Sequence, residues 1–306
     1  MKRSYLLFKG KGFQRLLALM VLLCSFSGPL RAQIAQRGSA SNGVNSGTNI
    51  SSLTVGCPGG VLPGDVLIAT IVQNETDNDN GGLSDVTASG WTLIDGRLIR
   101  SNGTNNNDNA WYGTVLFRIA DGTEGNAFVF ELPNAIADMA IGSVTAFSGV
   151  TVTQGVNADG TAGGPFDVDP GILNLANAVT ATANGVTTVS ANSAVVMIAM
   201  VNNDRTYSGW TSTSPGALNE LVDYNTTDID NASVGAAWAI KSVPGPTGNG
   251  IVDLSASDRS ASIMLVLKSA TPSVSVTASA ASVCTGSSVN LNSTLIDYPQ
   301  SANIAF

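Results

Sequence analysis

The sequence predicts an all-β fold, a jelly-roll-like two-sheet sandwich built from two similar halves and followed by a short further β segment. Three observations support this prediction. Apolar runs of strand length recur between turns rich in Gly, Asn and Ser. No window of about 11–18 residues carries the apolar stripe and caps of an amphipathic helix. Several motifs occur twice in the same order, which indicates an internal repeat.

Residues 1–32 are predicted to form a signal peptide. A basic start is followed by the apolar run LLALMVLLCSF at 16–26 and by a segment that fits cleavage after Ala32. The run is shorter than the roughly 20 residues that a permanent membrane span needs. A lipid anchor on Cys24 is the alternative, which the bulky Leu23 before it disfavours. We therefore expect a secreted or cell-surface protein with no transmembrane segment after cleavage.

Removal of this leader leaves a strongly acidic chain. The remaining residues include 22 acidic and 8 basic side chains, a net charge of −14. Such a surface repels phosphate backbones, which proteins bind by displacing counterions with Lys and Arg. This excludes nucleic acid as a partner and disfavours anionic lipid. The acidity fits solubility outside a cell, with weak binding of divalent cations as a second interpretation.

The strand-length runs follow one another from residue 49 to residue 268. Residues 33–48, which precede them, are polar and Gly-rich and are expected to be flexible. Three runs, 65–72, 193–201 and 261–268, are apolar on both faces, as expected at the centre of a two-layer structure. The remaining predicted strands are 49–55, 91–99, 110–120, 127–132, 139–147, 177–182, 185–190, 232–241 and 250–256.

Five features of residues 49–268 recur in one order. They are the pairs 65–74 and 194–203, SGWT at 89–92 and 208–211, 108–118 and 230–241 (both beginning Asp-Asn-Ala), 125–132 and 248–254, and 139–147 and 261–268. The second half is too small for much core of its own. We therefore expect one sandwich in which each half supplies strands to both sheets. Trp91 and Trp210 are expected to begin strands and lock sheet edges into the core; an exposed ligand platform is the alternative.

The C-terminal residues are predicted to begin another β domain. Residues 269–272 (SATP) fit a linker, and the segment 273–306 shows strand alternation on either side of a turn. A lone hairpin is not stable in water, so we expect the rest of that domain to lie beyond residue 306, in a longer chain.

The segments PGGVLPGDVLIATIV, SGWTLID, WYGTVLFRIAD and MAIGSVTAFSGV resemble a family of bacterial extracellular jelly-roll modules. The tail PSVSVTASAASVCTGSSVNLNST is similar to the start of an immunoglobulin-like (Ig-like) repeat of large secreted surface proteins, and 273–306 would then be an incomplete Ig-like domain. The resemblance implies a modular adhesin, exported through a sorting domain that is not present here. It also implies a partner for Cys284 beyond residue 306, and it carries no catalytic residue set.

The residue content excludes most catalytic chemistry. The chain has no histidine, which removes Ser-His-Asp and Cys-His systems and His-based zinc sites. The two cysteines that follow the leader, Cys57 and Cys284, lack metal-site spacing. A bridge between them would join separate predicted modules, so a buried or free Cys57 is favoured. Paired carboxylates, as in glycoside hydrolysis, are the remaining catalytic option, but no pair stands out. We expect no enzymatic activity.

Two polar loops are candidate binding sites. Glu75, Asp77, Asp79 and Asp85 offer the oxygen ligands that Ca²⁺ prefers, although their spacing does not match an EF-hand loop. A second acidic loop occupies 223–231. Solvated turns stabilised by Asn and Asp side chains are the alternative.

The second candidate is a carbohydrate site in the Asn-rich segment 100–112. Asn105 and Asn107 could bind hydroxyl groups beside the rings of Trp111 and Tyr112, but Asn is also a common turn residue. The sequence thus favours a non-catalytic extracellular module with an adhesive or structural role. A carbohydrate-binding module is the alternative, and a carboxylate-based hydrolase ranks third.

Overall fold

The computed structural model describes residues 33–74, 83–100, 110–227, 231–271, 273–278 and 291–296. The described chain consists of twenty strands, their connections and one 3₁₀ turn at Pro133–Ala135. The all-β prediction is confirmed. No helix in these residues is long and apolar enough to cross a bilayer.

The first half of the chain forms one antiparallel sheet. Its strand order is β1-β8-β4-β6-β5, and β2 also pairs with β8. A separate two-stranded ribbon is made by β3 and β7. The strands are β1 (Ala35–Gln36), β2 (Ser41–Ile50), β3 (Ser52–Gly56), β4 (Val66–Asn74), β5 (Thr92–Arg100), β6 (Ala110–Ile119), β7 (Ala127–Glu131) and β8 (Ala137–Ser148).

The second half forms a matching antiparallel sheet after a short hairpin of β9 (Gly155–Val156) and β10 (Ala162–Gly164). Its order is β11-β18-β13-β16-β15, and β14 also pairs with β18. The strands are β11 (Asn174–Ala183), β13 (Ser193–Val201), β14 (Tyr207–Thr211), β15 (Asn219–Thr226), β16 (Ala232–Lys241) and β18 (Gly250–Leu267). A separate two-stranded ribbon is made by β12 (Thr187–Thr188) and β17 (Gly245–Pro246). Two further strands, β19 (Ser273–Ala278) and β20 (Leu291–Ile296), pair with each other.

Three hydrophobic cores hold these layers together. The inner core lies between the two sheets and includes Val66 and Ile68 of β4 and Val196 and Ile198 of β13. The first outer core lies between the first sheet and the β3–β7 ribbon. The second outer core lies between the second sheet and a cover made by β14 and the adjoining ends of β11 and β18. Each fully buried large apolar side chain contributes about 1.5–3 kcal/mol.

The two sheets share details of register. The edge strand of each sheet carries a β-bulge at the same place, at Leu93/Asp95 in β5 and at Glu220/Val222 in β15. When the two edge strands are aligned at these bulges, Trp111 of β6 and Ala232 of β16 pair with equivalent residues and therefore occupy the same register position. The Asp-Asn-Ala match instead aligns Ala110 with Ala232, so it is one residue out of register. A one-residue shift moves every side chain to the other face of a strand. The prediction of two similar halves is nevertheless confirmed.

The assembly of the halves differs from the expected sharing of strands. Every strand of the first sheet comes from residues 35–148, and every strand of the second from residues 174–267. Each half thus builds its own sheet and its own cover. The doubly apolar strands β4 and β13 are central, as predicted, but one face of each packs on the other sheet and the other face on its own cover.

Two segments that were predicted to flank the sandwich contribute residues to it. Residues 33–48 contribute β1 and most of β2, which pair with β8, and Ile34 is buried in the inner core. The polar composition misled because an edge strand is held by main-chain hydrogen bonds and needs few apolar side chains. In the predicted linker, Ser269 and Ala270 are buried, and the Ala270 amide donates to the Gly149 carbonyl at 2.9 Å.

Candidate functional site

Trp111 does not form the expected sugar-stacking surface. It lies on β6 with 0% of its surface exposed and packs in the inner core. Both ring faces are covered, so the structure contradicts a stacking role for this side chain. The sequence did carry a signal, since Trp111 shares the strand alternation of Val115 and Phe117, which point into the same core.

Tyr112 points to the opposite face of β6 and is half-buried. Its hydroxyl group donates a hydrogen bond to Asp85 Oδ1 at 3.0 Å. Burial, together with this hydrogen bond to a carboxylate, raises the pKa of Tyr112 above its usual range. The structure therefore brings together one residue from each candidate loop, and their hydrogen bond joins β6 to the segment before β5.

The remaining predicted ligands, Glu75, Asp77, Asp79, Asn105 and Asn107, lie outside the described residues. The described residues contain no group of three or more His, Cys, Asp or Glu side chains that could hold a metal ion. Calcium binding by the first loop stays a prediction.

The buried aspartates of the described chain hold loops in place. Asp65 accepts from Arg37 Nε at 2.8 Å and from the Leu62 amide at 2.9 Å. Asp167 accepts from the amides of residues 189 and 190, and Asp138 from the amide of Asn49. Each of these carboxylates binds neighbouring protein groups.

A groove lies along the open edge of the first sheet. One wall is Thr92–Asp95 of β5 with Phe117 behind it, and the other is formed by residues 157–159, 169, 171 and 172 of the connection between the halves. Its volume is about 620 Å³. We call it the β5 groove.

The β5 groove combines carboxylates with apolar side chains. Asp95, Asp159 and Asp169 line it, and no lysine or arginine does. Asp159 accepts from the Thr161 hydroxyl and amide, and these bonds hold the pKa of Asp159 below its usual value. Asp95 accepts from the Leu173 amide at 2.6 Å, which ties the two walls together. Sequence reasoning missed this site because its walls are more than sixty positions apart.

A smaller hollow of about 400 Å³ lies over the first cover. It is lined by residues that include Trp91, Arg118, Phe128 and Glu131, and we call it the Trp91 hollow. Trp91 packs edge-on against Phe128, with ring centroids 5.1 Å apart. Arg118 binds Glu124 at 3.1 Å and lies over the Phe128 ring, so its charge is already compensated.

Cys57 is a free thiol and is half-buried in the described chain. Its Sγ lies 3.6 Å from the Pro58 carbonyl oxygen. Burial, and the nearby Glu124 carboxylate, raise the pKa of the Cys57 thiol, which lowers its reactivity at neutral pH. Cys284, the only cysteine considered as a disulfide partner for Cys57, lies outside the described residues.

Comparisons with known proteins add no relative to these observations. No family model, no curated protein and no solved structure matches the chain. Function must therefore be argued from the grooves and side chains themselves.

Proposed function

We propose that this chain is a non-catalytic extracellular module of a secreted or surface-attached bacterial protein, with an adhesive or structural role. The observation that carries the proposal is the use of its carboxylates. The buried aspartates of the described residues, Asp65, Asp138 and Asp167, bind an arginine or main-chain amides. A glycosidase instead needs two carboxyl groups about 5–10 Å apart across a substrate cleft.

The architecture also supports a binding role. Three cores surround two extended sheets, so loops and sheet edges sit on a rigid base. Hollows of about 620 and 400 Å³ lie on this base, within the volume range of ligand sites. The basic and apolar leader at residues 1–32 and the acidic remainder support export.

Binding and turnover assays on the full mature chain test this proposal. We expect saturable binding to cells or extracellular matrix and no release of reducing sugar from any polysaccharide. Turnover that a single Asp or Glu substitution abolishes would contradict it.

A carbohydrate-binding module is the second candidate, and the Trp91 hollow favours it. A half-buried Trp91 beside the exposed Glu131 provides an apolar surface next to a hydrogen-bond acceptor. We expect glycan binding at this hollow to be lost in Glu131→Ala and Val129→Arg, because Val129 is 49% exposed at its rim. Glycan binding that both variants retain would contradict a site here.

A further inference from the structure

We propose that the β5 groove binds a basic, extended polypeptide segment, with an arginine or lysine side chain lying among Asp95, Asp159 and Asp169. This inference rests on the proposed binding function and names the class of partner. Four features of the groove support it: its size, its apolar walls, its charge and the open strand beside it.

The size and walls suit a long side chain on a peptide. A volume of about 620 Å³ lies within the range of small-ligand sites. Leu93 on one wall is 39% exposed, and Ile172 on the other is 62% exposed. These apolar surfaces can cover the aliphatic stem of a lysine or arginine while its charged end reaches the carboxylates.

The charge of the groove selects a cation. One oxygen of Asp95 and one of Asp169 accept main-chain hydrogen bonds, from Leu173 and Gly171. The second oxygen of each takes no hydrogen bond from any described residue. The lining of the groove carries three carboxylates and no lysine or arginine, which favours a cationic side chain as its occupant. A planar guanidinium with five donors fits this arrangement.

The open strand favours a polypeptide over a small amine. β5 pairs with β6 on one side only, and no other described strand pairs with it. The main-chain groups on its outer edge can therefore pair with an added extended segment. An arginine carried by that segment would reach the groove beside residues 92–95.

A second copy of this chain is a poor occupant because the chain after the leader carries 22 acidic and only 8 basic side chains, and five of these basic side chains are engaged. Arg37, Arg118 and Arg205 form salt bridges. Lys241 is buried and donates to Ser214 Oγ at 2.7 Å, and Arg97 donates to the Leu173 carbonyl. The acidic chain instead complements a different, basic partner.

The test uses the full mature chain and a short labelled peptide in which arginine alternates with valine. Its neutral counterpart carries citrulline, which keeps the shape and removes the charge. We expect the arginine peptide to bind saturably by fluorescence anisotropy, at least tenfold more tightly than the citrulline peptide. Asp159→Asn and Asp169→Asn should each weaken binding by about threefold to fivefold, and the double variant by about tenfold.

A matched control is present in the chain. Asp121 forms the same Asp-Gly-Thr turn as Asp159, with the same pair of hydrogen bonds from the threonine, but it lies outside the groove. Asp121→Asn removes the same charge and should leave binding unchanged. An asparagine keeps a side-chain oxygen at each turn, so all these variants should fold.

The inference is overturned by absence of saturable binding, by equal binding to wild type and the double variant, or by an equal loss in Asp121→Asn. A neutral oligosaccharide that competes for the groove would also overturn it. Adhesion that survives in the double variant would reject the basic peptide as partner and leave the proposed function standing. Polysaccharide turnover would reject the proposed function whatever the peptide does.

Discussion

The two SGWT motifs show how the halves of this protein resemble each other. In each motif the glycine adopts a positive φ, 76° at Gly90 and 67° at Gly209. In each half, a residue just before the motif makes a main-chain hydrogen bond with a strand of the outer layer. The Thr87 amide donates to the Glu131 carbonyl in the first half, and the Thr206 carbonyl accepts from the Ser255 amide in the second. Trp91 and Trp210 both pack in outer cores. The repeated motif thus places a glycine of positive φ before an outer-core tryptophan in both halves, in the turn before β5 in the first half and inside strand β14 in the second.

The surroundings of the two rings differ in one consistent way. Trp91 meets Phe128 and Phe130 of the neighbouring strand β7, whereas Trp210 meets Tyr207 of its own strand β14. The aromatic side chains that contact the tryptophan thus come from β7 in the first half and from β14 in the second. The backbone and the layers are kept, while the side chains that fill the space are exchanged.

The hydrogen bonds of the two indoles differ as well. Trp210 Nε1 donates to Glu220 at 3.1 Å, whereas Trp91 Nε1 has no acceptor among the described residues. Counting from the shared bulges, Leu93 holds the register position of Glu220. The second indole is therefore both more buried and better bonded than the first.

The largest expected effect comes from truncating the two tryptophans. Trp210 is 4% exposed, so Trp210→Ala should lower the free energy of unfolding by about 3–5 kcal/mol. Trp91→Ala should cost about 2 kcal/mol, because Trp91 is only half-buried. Urea denaturation of both variants measures the difference. An equal cost, or a larger cost at Trp91, would break the comparison.

The glycines of the two motifs should give similar and smaller effects. Gly90→Ala and Gly209→Ala each place a Cβ at positive φ, which costs about 1–2 kcal/mol. Gly59→Ala is the control, because no atom lies within 4 Å of its added Cβ and its φ is not in the left-handed region. Thermal denaturation should show two destabilised variants and a neutral control. A neutral Gly90→Ala would mean that the two turns are not equivalent.

Removal of the hydrogen-bond acceptor of the Trp210 indole tests how much this hydrogen bond contributes to stability. Glu220→Leu should cost about 1 kcal/mol, because Trp210 Nε1 loses its partner. Glu220→Gln keeps an acceptor oxygen and should cost less. Equal losses in the two variants by urea denaturation would show that the charge of Glu220, and not its hydrogen bond, matters.

The smallest effect is a dependence on pH at Asp223. Burial raises the pKa of Asp223, and the Tyr207 amide offsets this only in part. The folded state therefore holds this proton more tightly than the unfolded state. Its contribution to stability is present at low pH and is lost as pH rises above 3.8 and through the folded pKa. Asp223→Asn should flatten the pH profile over this range; a steeper decline in the variant would contradict the assignment.

The register position of Asp223 carries no acid of its own in β5. Gly96 holds the register position of Asp223, and the nearest phenol, Tyr112, binds Asp85 instead. Tyr112→Phe leaves Asp223 and its Tyr207 donor in place, so the pH dependence that Asp223→Asn removes should remain in this variant.

Local patterns in the sequence predicted which residues form strands. Period-two alternation located β6 and β7, and continuous apolar runs located β4, β13 and the end of β18. The pattern could not show which strands pair, because the alternation within a strand does not depend on which strand lies beside it. The expectation that each half supplies strands to both sheets was therefore wrong. The Asp-Asn-Ala identity also suggested a register that packing shifts by one residue.

The candidate sites were less predictable than the strands. The Asn-rich neighbours of Trp111 suggested a sugar-stacking role at the end of predicted strand 110–120, although its alternation matches a buried strand face. The β5 groove depends on Asp159 and Asp169, which approach Asp95 only because the connection between the halves folds back onto β5. The spacing of these aspartates along the sequence does not indicate that they lie close together in the fold.

The central claim is that each half builds a complete sheet and that the two sheets pack face to face. Cross-strand amide–amide nuclear Overhauser effects, measured on deuterated protein, test it most directly. The account predicts that β4 connects only to β6 and β8, as at Ile71 with Thr114 and Gly142, and that β13 connects only to β16 and β18. A ladder of contacts between β4 and any strand of residues 174–267 would contradict it.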